Sequence, residues 1–131
     1  MARSGKRTRH LTTGDTTYLW SLRHTHRALD DGTSEDCCET LSIRPLEGGG
    51  GLRIQFQNGP DRLVPDGYPQ PSGTVGSRAG RTLNLHEPGT VRALLDEAVR
   101  RGRSPGGPTV EEFDGWMLFD AAHQVIAPLR D

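Results

Sequence analysis

The chain has 131 residues, a formal net charge of −1 and a hydrophobic content of 32%, which predict one small domain and exclude two full ones. The balanced charge excludes a global electrostatic attraction to nucleic acid or to an anionic membrane. The two cysteines, Cys37 and Cys38, are adjacent. Because neighbouring cysteines cannot join distant segments, a disulfide scaffold is excluded and a reducing cytoplasm is expected.

Residues 1–14 show no hydrophobic periodicity, and we expect a flexible basic arm there, followed by a single globular α+β domain over residues 15–131. The basic side chains of the arm are Arg3, Lys6, Arg7 and Arg9. Such an arm can contact phosphates, so nucleic-acid binding through it is one alternative function. No apolar run follows the basic residues, and we expect neither a signal peptide nor a membrane span.

From Thr16 onward, apolar and polar residues alternate, which is typical of β-strands with one buried face. Turn residues at Asp31-Gly32 and a run of glycines at 48–51 divide this stretch into three strands. We expect these strands to form an antiparallel meander.

The two predicted turns give registers that agree with each other. A turn centred on residues 31–32 places Leu22 opposite Leu41, and a turn centred on residues 48–49 places Ile43 opposite Ile54. Both registers collect the apolar side chains on one face, as a half-buried antiparallel sheet requires.

The residue pattern in the middle of the chain predicts short strands on either side of a loop. Arg62-Leu63-Val64 can pair briefly, and Leu83 and Leu85 mark another short strand. Between them, residues 69–80 are rich in Gly, Pro and Ser, which indicates a long exposed loop.

Residues 88–101 predict one amphipathic helix. Pro88 suits the first helical turn, and Gly102 suits the left-handed residue that closes the helix. Apolar residues recur at the spacing of a single helical stripe, and they are Val91, Leu94, Leu95, Ala98 and Val99.

After the helix, residues 110–119 predict a hairpin around Asp114-Gly115, and residues 124–127 predict a final edge strand. The predicted fold is therefore α+β. It consists of a curved antiparallel β-sheet, a meander of about five to seven strands, with one amphipathic helix packed on one face.

A candidate metal site lies near the first turn. The register places His24 opposite Glu39 and His26 opposite Cys37, all on the apolar side of the sheet. Two imidazoles, a thiol and a carboxylate can bind zinc or iron, which would suit a metal-dependent enzyme or a metal sensor. The alternative is a solvated rim with an ordinary His–Glu cross-strand pair and no cofactor.

The opposite side of the predicted sheet carries planar polar side chains suited to binding phosphates, carboxylates or peptide edges. We name these residues the Arg/Gln face, and they are Arg23, Arg27, Arg44, Arg53, Gln55 and Gln57. The alternative is an ordinary solvated sheet face.

No catalytic residue can be assigned, because the sequence contains no hydrolase elbow or phosphate-binding loop. We therefore expect a small cytoplasmic macromolecule-binding module that is non-catalytic and acts in protein–protein interaction or regulation. The helix should cover the apolar face and leave the Arg/Gln face open to a protein partner. The oligomeric state is not specified by these patterns.

Overall fold

A computed structural model describes residues 8–32, 34–65, 73–77 and 80–130. These ranges contain a five-stranded sheet, a three-stranded sheet and two α-helices, so the predicted α+β class is confirmed. None of the helices in these ranges is long and apolar enough to cross a membrane. The elements are β1 (Arg9–Thr13), β2 (Thr16–Ala28), β3 (Ser34–Pro45), β4 (Leu52–Gln57), β5 (Arg62–Leu63), β6 (Thr74–Ser77), β7 (Thr82–Asn84), α1 (Pro88–Arg100), β8 (Glu111–Asp114), α2 (Trp116–Ile126) and a 3₁₀ turn (Ala127–Arg130).

The large sheet has the order β1-β2-β3-β4-β8, and only the β4–β8 pair is parallel. The predicted pairing of Leu22 with Leu41 is confirmed. The second predicted register is wrong by two residues, because Ile43 pairs with Leu52. The turn closes earlier than expected, with the Gly48 N–H donating to the Pro45 carbonyl at 3.2 Å. Since side chains alternate with a period of two, this shift preserves the two faces.

A β-bulge interrupts the pairing of β2 with β3. Thr25 pairs with Cys38, whereas Arg27 pairs with Glu35. Asp36, at a φ of 57°, lies in the extra stretch of β3. The predicted His26–Cys37 pairing falls inside this bulge, where the register between the two strands shifts.

Strand β1 occupies part of the segment predicted to be an arm. Residues 9–13 pair with residues 16–20 of β2, so the prediction of a flexible arm is wrong for β1, and residues 1–7 lie outside the described residues. Leu11 packs against the core, and the Arg9 guanidinium lies 5.3 Å from the centre of the Trp20 ring. These contacts hold the strand on the sheet.

Helix α1 confirms the predicted helix and its ends. Pro88 lies in the first turn, and Gly102 has a φ of 93° with its N–H bonded to the Val99 carbonyl. The predicted stripe is wrong at Val99, which is 47% exposed, while Thr90, Ala93 and Glu97 are buried. The buried arc is rotated because α1 packs against α2 as well as against the sheets.

The predictions of a hairpin at residues 110–119 and of an edge strand at residues 124–127 are wrong. Strand β8 pairs in parallel with β4, and the chain then enters α2, where Asp114 Oδ1 accepts the Trp116 N–H at 3.0 Å. The buried residues of α2 follow a helical spacing, and they are Leu118, Phe119, Ala122 and Ile126. A period of about 3.6 residues, not two, governs this segment.

The three-stranded sheet, in the order β5-β6-β7, packs on the same core. Strand β6 lies inside the segment 69–80 that was predicted to be a loop. The loop prediction is therefore wrong for residues 74–77. A buried carboxylate joins the two sheets. Glu39, which is 1% exposed, has Oε2 at 2.6 Å from His24 Nδ1 and accepts the Gly73 N–H at 3.0 Å.

Gly73→Ala tests this junction. Gly73 has a φ of 98°, and a Cβ there would lie 2.5 Å from the His86 ring and 3.3 Å from Leu22 Cδ2. We expect urea unfolding to show a loss of about 2 to 3 kcal/mol, because backbone strain and crowding add. Gly80→Ala is the matched control: its φ is 90°, and no described atom lies within 4 Å of the added Cβ. It should lose only about 1 kcal/mol, and equal losses would contradict the tight junction at Gly73.

The pH dependence of unfolding tests the ion pairs of α1. The guanidinium groups of Arg100 and Arg101 hold the pKa of Glu97 below its ordinary value. Glu97 thus stabilises the fold above its unfolded-state pKa, and this stabilisation is lost as the pH falls through the lower folded-state pKa. Glu97→Gln should make the free energy of unfolding fall less steeply than in the parent between about pH 5 and pH 3. Identical slopes would contradict this assignment.

Candidate binding surface

The five-stranded sheet has one face packed on the core and one face turned away from it. We call the second surface the outer face; it consists of the side chains that alternate with the buried residues of β2, β3, β4 and β8. Within the described residues, both helices and the small sheet pack on the core side. The outer face includes Arg23, Arg44, Arg53, Gln55 and Gln57, as the alternation predicts.

The arginines of the Arg/Gln face differ in their ion pairs. Arg53 Nη1 lies 2.6 Å from Glu112 Oε2, and Arg27 Nε, beyond the bulge, lies 3.5 Å from Asp36 Oδ2. Arg23 and Arg44 form no ion pair with another described residue. Their guanidinium groups are therefore the ones available to an external anion.

A cavity of about 260 Å³ opens on the outer face. Arg44 and Arg53 line it, together with Ser21 and Ser42, which pair across β2 and β3. Ser21 is only 6% exposed, whereas Ser42 is half-buried. Further lining residues include Thr8, Leu19, Gly50 and Val110.

Glycine is required at one wall of this cavity. The Gly50 N–H donates to the Gly107 carbonyl at 2.7 Å, and a Cβ on Gly50 would lie 2.1 Å from backbone atoms of Thr109. The close approach brings the segment before β8 against the start of β4. It therefore places Val110 beside the serines and arginines.

A second cavity, of about 420 Å³, lies beside the first. Gln55, Gln57 and Glu112 line it, and Arg62 lies 5.6 Å from the Trp116 ring centre. The remaining wall residues are Phe113 and Asp114, and Asp114 Oδ2 is 4.0 Å from Arg62 Nη1. The charged groups of this cavity are thus already close to opposite charges.

The four residues of the candidate metal site are only partly brought together. His24 contacts Glu39, and the His24 and His26 ring centres are 5.4 Å apart. Cys37 is buried in the core cluster. The described residues contain no group of three or more His, Cys, Asp or Glu side chains placed to hold a metal ion. Zinc or iron binding by His24, His26, Cys37 and Glu39 stays a prediction.

The basic residues of the predicted arm have different positions. Arg9 lies over Trp20, and its Nη1 donates to the His86 carbonyl at 2.8 Å. Arg3, Lys6 and Arg7 lie outside the described residues. Nucleic-acid binding through the arm therefore also stays a prediction.

Glu112 lies on the outer face and Trp116 lies at its edge, and the sequence patterns assigned neither residue to this surface. Both lie in the segment interpreted as a hairpin, and their place beside β4 depends on a parallel pairing that no short turn specifies. The apolar residues of α2 recur at helical spacing, and this pattern in the sequence could have placed Trp116 in a helix. For Glu112 the sequence offers no comparable signal.

No known protein family, curated protein or solved structure matches this chain. Its function is therefore inferred from the geometry of the outer face and from the chemistry of the residues on it.

Thiol alkylation tests whether the Cys38 thiol has the raised pKa and low reactivity expected from its surroundings. Burial raises the pKa of the Cys38 thiol, and the neighbouring Glu39 carboxylate adds to this rise. In a Cys37→Ala variant, where Cys38 is the sole thiol, we expect alkylation by iodoacetamide at neutral pH to be severalfold slower than in the same variant unfolded in urea. A faster reaction in the folded variant would indicate an activated thiolate and would contradict this assignment.

Proposed function

We propose that this chain is a non-catalytic module that binds a partner protein through its outer face, and that the ligand is an acidic segment of the partner. One observation carries the proposal: Arg44, without an ion pair to a described residue, lines a cavity that also holds Arg53 and two serines. We place the protein in the cytoplasm, because its two cysteines are adjacent and cannot staple distant segments, as the disulfides of secreted domains do.

The donors of the cavity suit a carboxylate. A guanidinium group offers a planar fork of N–H donors that matches two carboxylate oxygens. The hydroxyl groups of Ser21 and Ser42 can donate to the same oxygens. Because all of these side chains stand on paired strands, binding requires no ordering of the backbone that carries them.

One feature of the outer face favours a protein ligand over a nucleic acid. Sheets that bind single-stranded nucleic acid present aromatic side chains for base stacking. On the described part of this sheet, Trp20 is 2% exposed on the core side, and the outward-facing side chains of β2, β3 and β4 include no Phe, Tyr or Trp. At the edge of the outer face, the Trp116 indole N–H donates to the Gln57 carbonyl, and Arg62 lies over the Trp116 ring.

Substitution of Arg44 tests the proposal with a fluorescent oligoglutamate peptide as the probe. We expect Arg44→Ala to weaken binding about tenfold, because a charge-assisted hydrogen-bonding partner is lost. Arg44→Lys keeps the charge but loses the fork, so its affinity should lie between those of the parent and Arg44→Ala. Fluorescence anisotropy measures all three dissociation constants.

Arg92→Ala is the matched control, since Arg92 is an exposed arginine on α1 that pairs with Asp96. This variant has the same net charge as Arg44→Ala and should bind as the parent does. Equal weakening by both variants would show that only net charge matters and would contradict the proposed site. Tighter binding of a single-stranded oligonucleotide than of oligoglutamate would contradict the choice of ligand.

A further inference from the structure

The ion pair between Arg53 and Glu112 joins two neighbouring strands on the outer face. The two residues are register partners in the parallel β4–β8 pair, and Arg53 Nη1 lies 2.6 Å from Glu112 Oε2. Their side chains are 45% and 51% exposed. The pair is therefore open to solvent and to a ligand.

This ion pair also stands between the two cavities. Arg53 lines the cavity that contains Arg44, and Glu112 lines the neighbouring cavity that contains Trp116. A carboxylate that enters the first cavity thus meets one guanidinium group, on Arg44, without an ion pair to a described residue. It meets a second, on Arg53, already bonded to a carboxylate of the chain itself.

We propose that Glu112 is an internal competitor that occupies Arg53 until an acidic side chain of the partner replaces it. The inference rests on the proposed function, and it assigns to Glu112 the control of affinity at that site. The Glu112 carboxylate has the same chemistry as the ligand, and its contact shows that Arg53 can hold a carboxylate at this position.

The exposure of the pair makes replacement feasible. A solvent-exposed ion pair adds little free energy, because water screens both charges. A partner carboxylate in the cavity gains contacts that Glu112 does not make, with the Arg44 guanidinium and the serine hydroxyls. The partner therefore displaces Glu112, but the competition reduces its affinity.

Glu112→Gln tests the inference. This substitution keeps the size of the side chain and removes the carboxylate charge, so Arg53 becomes available. We expect oligoglutamate to bind about threefold to tenfold more tightly than to the parent. The affinity should also fall more steeply with added salt, because one more unpaired charge takes part.

Glu111→Gln is the matched control. Glu111 is the preceding residue on β8, and its Oε1 lies 3.6 Å from Arg103 Nη1, away from Arg53. The substitution changes the net charge as Glu112→Gln does, so its affinity should equal that of the parent. A gain of the same size in both variants would overturn the inference, since it would reflect net charge alone.

The double variant Arg53→Ala/Glu112→Gln should not show the tighter oligoglutamate binding of Glu112→Gln, because Glu112 acts only through Arg53. If Arg44→Ala weakens binding about tenfold while Glu112→Gln leaves it unchanged or weakens it, the internal competitor is overturned and the proposed function stands. If neither the parent nor Glu112→Gln binds oligoglutamate, the proposed function and the inference both fail.

Discussion

The Glu39 carboxylate at the junction of the two sheets is the contact on which the architecture depends. A carboxylate that is 1% exposed must be hydrogen-bonded, and here its partners come from both sheets, through His24 of β2 and the Gly73 N–H just before β6. The contact fixes the small sheet against the core side of the large one. Both helices pack on that side as well, so no helix of the described residues lies over the outer face.

The outer face derives its binding chemistry from strands that the core holds in place. Leu41, Ile43 and Ile54 are at most 1% exposed, and the side chains between them along β3 and β4 point the other way. Ser42, Arg44 and Arg53 are therefore positioned by the same packing that stabilises the domain. Loss of ligand contacts can thus be separated experimentally from loss of folding.

Local patterns predicted the parts of the fold that depend on periodicity and turn chemistry. They predicted the meander, the limits of α1 and the face of the sheet on which Arg44 and Arg53 lie. Elements set by long-range contacts could not be predicted in this way. β1 depends on contacts of Leu11 and Arg9 with the core, and β8 depends on a parallel pairing across more than fifty residues. Glu112 was missed for this second reason.

Mapping the oligoglutamate contact by NMR would show whether the acidic ligand binds the outer face. Backbone amide shifts of the ¹⁵N-labelled chain would be followed while the peptide is added. We expect the largest changes on the outer face, at Ser21, Ser42, Arg44, Arg53 and Glu112, and no change in α1 and α2. Changes centred on the helices, or spread evenly over all basic residues, would contradict a built site for an acidic ligand on the outer face.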